Sequence, residues 1–135
     1  MLLGATALAG CTGPSSTEPT VRPSESYVGL PSGVVPPESV PTDVPNDPDA
    51  RPDVAIDTCQ ATDTGWSASG TATNPAATAT TYTITVFFTT DAGTVIGFAD
   101  MTAEVAASKT GHWTVAAEFG APASTLCVLR GVATS

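Results

Sequence analysis

Ten of the twelve prolines of this chain lie between Cys11 and Asp53. That bias limits where a folded core can form. Proline has no amide hydrogen to donate and holds φ near one value, so a run of prolines builds neither helix nor central strand. The rest of this stretch is mainly Ser, Thr, Glu, Asp and Gly with scattered valines. It offers too little apolar surface to offset the entropy of ordering its backbone. Residues 11–52 therefore read as a disordered spacer with polyproline II character and no periodic hydrophobic face. As a coil it would span about 35 Å, and fully extended about 130 Å. Folding is left to residues 53–135, a length that folds alone but gains from a covalent staple. One domain is the expectation.

Beyond Pro52 the chain changes to a period of two, the mark of half-buried strands. Its clearest run is Thr80 to Thr90, with Tyr82, Ile84, Val86 and Phe88 on one face and Thr81, Thr83 and Thr85 on the other. The threonine face is expected to meet solvent, with Phe87 breaking the polar pattern. Asp91, Ala92 and Gly93 supply turn chemistry, after which Thr94 to Thr102 can return as a hairpin partner. Val54 to Cys59 reads as a first strand. Trp66 to Asn74 reads as a second, with Trp66, Ala68, Gly70 and Ala72 alternating against Ser and Thr and Pro75 closing it. Lys109, Thr110 and Gly111 read as a turn, Trp113, Val115, Ala117 and Phe119 as inward residues, and Thr125 to Val132 as the last strand. Short strands at this spacing, without a helical period, predict an all-β fold. The expected form is a small immunoglobulin-like antiparallel β-sandwich of six or seven strands with Greek-key connections, preceded by the disordered linker.

Charge removes one class of function. Thirteen acids face four bases, for a net charge of −9, and residues 53–135 offer phosphate only Lys109 and Arg130. Nucleic acid is not an expected partner. No stretch approaches the ~20 apolar residues of a spanning helix. Catalysis is tested by inventory. The lone histidine, His112, sits opposite Trp113 on its strand and reads as a solvated residue. No G-x-S-x-G elbow is present, and no motif places a base beside a Ser or Cys. Asp57, Asp63, Asp100, Glu104 and Glu118 come with almost no aromatic, amide or basic residues to grip a sugar, so a glycosidase pair is not expected. Asp43, Asp47, Asp49 and Asp53 cluster loosely, but prolines interrupt any calcium-loop spacing, and they read as solvated linker charge. The expectation is a non-enzyme with no metal and no cofactor, in which Trp66 and Trp113 serve packing. Exposed turns are then the candidate binding loops, namely Asp91 and Gly93 on one hairpin and Lys109 and His112 on another.

The N-terminus adds a short and specific pattern. Leu8, Ala9, Gly10 and Cys11 follow a small apolar run and resemble the lipobox of bacterial lipoproteins. The resemblance implies diacylglycerol on the sulfur of Cys11, cleavage just before it, and anchoring by acyl chains to the outer face of the cell membrane. Residues 1–10 then read as a truncated signal peptide, whose basic region and full apolar stretch would lie upstream. Thr12 to Thr17 is the polar tether such an anchor needs. In an exported chain the two remaining cysteines, Cys59 and Cys127, read as a disulfide. Closing so long a loop contributes about 4 kcal/mol in the chain-entropy model. Neither Cys-x-x-Cys spacing nor a nearby His supports zinc or redox chemistry for them.

Residues 53–135 also resemble the FxLYD-type immunoglobulin-like modules of bacterial surface lipoproteins. The resemblance rests on the order of features: Gly70 to Asn74 as a strand ending in a turn, Tyr82 to Phe88 followed by Asp91 to Val95 as a long strand and hairpin, and Gly111 to Phe119 as the strand after a glycine turn. Paired cysteines placed like Cys59 and Cys127 are similar to those of actinobacterial members. Phe87, Phe88, Thr89, Thr90 and Asp91 stand where the name-giving motif would be. The resemblance implies an extracytoplasmic module that meets a protein or a cell-wall polymer, and the chain itself is expected to be a monomer. Three functional classes follow: a surface-displayed binding or assembly module first, an accessory or substrate-binding subunit of an envelope transport or secretion complex second, and a wall-active enzyme last.

Overall fold

Period-two alternation becomes six strands in the computed structural model, which describes residues 30, 31 and 33–135. They are β1 (Val54–Ala61), β2 (Gly65–Thr73), β3 (Thr80–Thr89), β4 (Val95–Val105), β5 (Thr110–Glu118) and β6 (Leu126–Thr134). All pair antiparallel, in two three-stranded sheets of order β1-β2-β5 and β4-β3-β6. The chain crosses between sheets after β2, after β4 and after β5. This is the all-β sandwich that the sequence predicts. One turn differs. The β4–β5 connection is Ala106 to Lys109, with Ser108 at φ 59°, and Thr110 and Gly111 already belong to β5. Gly111 invites a turn reading, yet its φ is not positive. Its missing side chain instead leaves room for Val105, whose Cγ2 would lie 3.3 Å from an added Cβ.

Tyr82, Ile84, Val86 and Phe88 form the centre of the core, none more than 1 % exposed. Trp66, Ala68 and Ala72 of β2 and Trp113 and Val115 of β5 join them in one buried cluster. The polar tips of the large rings find partners, as buried N–H and O–H groups must: Trp113 Nε1 donates to Thr71 O at 3.1 Å, and Tyr82 Oη lies 3.1 Å from Thr73 O. Buried Asn74 ties two crossings together. Its side-chain amide donates to Thr78 O and Val105 O at 2.8 and 3.0 Å, and its backbone N–H donates to Lys109 O at 2.8 Å.

No ladder joins β1 to β6, since they are edge strands of different sheets. Cys59 and Cys127 form a disulfide across this seam, with Cα atoms 5.9 Å apart.

The threonine face of β3 is half-buried at Thr81 and Thr83 and closed beyond them, where alternation implies solvent. Thr85 and Thr89 are each 5 % exposed, and Phe87 is 7 % exposed. The cover is the proline-rich segment. Gly131 lies opposite Thr85, and a Cβ there would stand 2.5 Å from Pro45 O and 2.6 Å from Val44 Cγ1. Only glycine allows so close an approach. Asp47 N–H donates to Val132 O, and Val132 N–H donates to Asn46 Oδ1. The Arg51 guanidinium donates to Leu129 O, Arg130 O and Asn46 Oδ1, at the point where β6 bulges against β3. Val34 and Ala50 are buried at 2 % and 5 % exposure. From Gly33 to Pro52 the chain thus has almost no regular structure, as its composition requires, yet it is strapped to the outer face of the β4-β3-β6 sheet. The strap satisfies backbone groups that a bare edge strand would leave open. The spacer reading for residues 11–29 and the lipid site Cys11 lie outside the described residues.

Two outcomes follow. Gly131→Leu should displace the strap while keeping the sandwich, so hydrogen exchange at the Asp47 and Val132 amides should rise while Ile84 and Val86 stay protected. Replacing both Cys59 and Cys127 by Ala should lower the unfolding free energy by about 2–4 kcal/mol in denaturant titrations, because the staple is the covalent tie across a seam that no ladder crosses.

Candidate functional site

Antiparallel strands place the loops at two opposite ends. One end carries the β1–β2 hairpin, the β3–β4 turn and the β5–β6 loop. The other carries the β2–β3 and β4–β5 connections. Asp91 and Gly93 are exposed at the first end, and Lys109 and His112 at the second. The eleven residues of β4 separate the two pairs, a length of about 35 Å at ~3.3 Å per residue. The four candidate loop residues therefore form two surfaces and not one.

At the Asp91 end each loop is held by its own hydrogen bonds. In the β3–β4 turn, Gly93 has φ 88°, the left-handed region that favours glycine. The turn closes through Thr90 N–H to Thr94 O and Gly93 N–H to Thr90 O, both 2.9 Å. Ser124 Oγ donates to Asp91 Oδ1 at 2.8 Å and ties this turn to the β5–β6 loop. In the β1–β2 hairpin Thr62 Oγ1 accepts from Gly65 N–H at 2.9 Å, and Phe119 N–H donates to Thr64 O at 3.0 Å, joining hairpin and β5–β6 loop.

Two clefts open between these loops. The larger, about 590 Å³, lies between Ala61–Trp66 and Phe119–Ala123. The other, about 360 Å³, lies between the Thr90–Ala92 turn, Pro122 and Ser124, with Leu30 and Pro31 of the strap closing one side. Pro122 lines both. Each contains a single carboxylate, Asp63 in the first and Asp91 in the second. Trp66 is 9 % exposed, belongs to the core cluster and lines the first cleft. Composition pointed to Asp91 and Gly93 but not to the Phe119–Ser124 loop, because Ala, Pro, Gly and Ser at that place read only as a connection. Its role comes from where β5 and β6 deliver it.

At the Lys109 end a cavity of about 200 Å³ is lined by Asp47, Asp49, Asp53, Asn74 and Tyr82 among others. Asp47 and Asp53 have structural duties that loose spacing does not disclose. Asp47 Oδ1 accepts from Asp49 N–H at 3.0 Å, and Asp53 Oδ2 lies 3.4 Å from Tyr82 Oη. Among the described residues no three His, Cys, Asp or Glu side chains gather as metal ligands. His112 stands exposed on β5 opposite Thr71, flanking buried Trp113.

Comparisons with protein-family models, with curated proteins and with solved structures give no match.

Burial, then the negative charge of Asp53, then the hydrogen bond to it, push the Tyr82 phenol above its usual value of 10.0. The folded state therefore keeps its proton at higher pH than the unfolded state does. That contribution to stability is complete below pH 10 and is lost as pH rises through the folded value. Unfolding free energies measured across this range should fall more steeply for the wild type than for Tyr82→Phe.

Proposed function

We propose that this chain is an exported lipoprotein, held through acylated Cys11 at the outer face of the cell membrane, whose sandwich binds a protein or wall-polymer partner without catalysing a reaction on it. The observation that carries this reading is the Cys59–Cys127 bridge, since such bridges persist in oxidising compartments outside the cytosol. It pairs two of the three cysteines and leaves the lipobox-like Leu8, Ala9, Gly10, Cys11 with the third. The two clefts at the Asp91 end favour that end as the binding surface. Their single carboxylates fall short of the acid and base that hydrolysis of a glycosidic bond requires.

Docking of the strap alters the geometry of display. Residues 12–29 alone separate Cys11 from the strap, a length that reaches at most about 60 Å at ~3.3 Å per residue. The strap begins at Leu30 beside the second cleft, so the tether leaves from the same end as the clefts. A partner bound there would be held within that distance of the lipid surface.

Intact mass spectrometry of the protein from native membranes, before and after reduction and beside a Cys11→Ala version, tests the reading. The expected species begins at Cys11, bears a diacylglycerol that Cys11→Ala lacks, and gains two hydrogens on reduction. A species that retains Met1, carries no lipid and has three free thiols would overturn it.

A further inference from the structure

We propose that the Asp91 end docks a short extended peptide segment in which an apolar side chain is flanked by lysine or arginine, an inference that rests on the binding-module reading above. The apolar part of the argument is the larger cleft. Ala61, Trp66, Phe119, Ala121, Pro122 and Ala123 supply most of its wall, enough for one medium-sized apolar side chain and too open for a sealed small-molecule pocket.

Charge complementarity selects the partner. Asp63 lies on the rim of this cleft, and Glu118 faces Gly65 across the β2–β5 pair at the same end. Asp91 lies on the far side of Pro122, fixed by Ser124. Among the described residues every cation is elsewhere. Arg51 is committed to β6 carbonyls, Lys109 is at the opposite end, and Arg130 sits part-way along β6 with its guanidinium 5.8 Å over the Phe87 ring. An acidic peptide would meet three carboxylates with no compensating base. A basic one would find an acid on either side of an apolar slot. Such an arrangement steers encounter and fixes register more than it adds affinity.

Titrating the full-length ¹⁵N-labelled protein with acetyl-Lys-Leu-Lys-amide, acetyl-Lys-Gly-Lys-amide and acetyl-Glu-Leu-Glu-amide at low salt tests this. The Leu-bearing basic peptide should shift amides of Ala61–Gly65, Asp91–Gly93 and Phe119–Ser124, with the other two binding at least fivefold more weakly. Asp63→Asn with Asp91→Asn should weaken it roughly fivefold, the scale of two exposed ion pairs. Asp100→Asn, midway along β4, should leave it unchanged. Equal binding of the acidic peptide, shifts spread over all carboxylates including Asp100, or no shift at all would overturn the proposal. The anchoring reading stands or falls on the mass of the Cys11 species, so failure of one is not failure of the other.

Discussion

Burial of β3 on both faces is the constraint on which the remaining architecture depends. Its inner face puts Tyr82, Ile84, Val86 and Phe88 into the core shared with the opposite sheet. Its outer face is buried at Thr85, Phe87 and Thr89 and half-buried at Thr81 and Thr83. A central strand, hydrogen-bonded to β4 on one side and β6 on the other, can leave one face to water in an antiparallel sheet, but Phe87 gives the outer face of β3 apolar surface to cover. The second sheet covers the inner face. On the other side, where a larger domain would use a helix or another sheet, this chain uses an irregular strap.

The strap works because β6 is adapted to receive it. β6 bulges where its register against β3 shifts, turning the carbonyls of Leu129 and Arg130 toward Arg51. Gly131 next to the bulge lets Val44 and Pro45 approach to contact distance. A charged donor on bulge carbonyls is stronger than a neutral one, and it fixes a segment that has few apolar side chains of its own. The same edge strand, β6, also carries the covalent bridge to β1. Polar contacts thus hold the cover, and a disulfide holds the seam.

Consequences for function come from the two ends. Antiparallel pairing sends alternate connections to opposite ends, so Asp91 joins the Phe119–Ser124 loop and the β1–β2 hairpin, while Lys109 and His112 stand with the acids of the strap terminus. The first end has clefts and a one-signed rim. The second spends Asp53 on Tyr82 and Asp47 on the Asp49 amide. Strap and clefts share an end because Leu30 and Pro31 reach the β3–β4 turn, which places any tether and any ligand side by side.

Alternation together with turn residues was enough to place the six strands, the inward set on β3, the stop at Asn74 and the hairpin at Asp91 to Gly93, because each depends on residues two or three positions apart. Pairing Cys59 with Cys127 followed from counting. The same local reading missed whatever depends on distant residues. A threonine face looks solvated until a segment forty positions earlier in the chain lies over it, and Gly131 looks incidental until Pro45 arrives against it. Likewise Asp47 and Asp53 look like spare linker charge before Asp49 N–H and Tyr82 reach them. Sequence by itself therefore determined the elements and their inner faces, since side-chain alternation is a property of each strand alone. The outer cover, the β4–β5 turn position and the grouping of loops into two separate ends were decided only by tertiary structure. They depend on close approach and backbone hydrogen bonds between segments that share no local pattern.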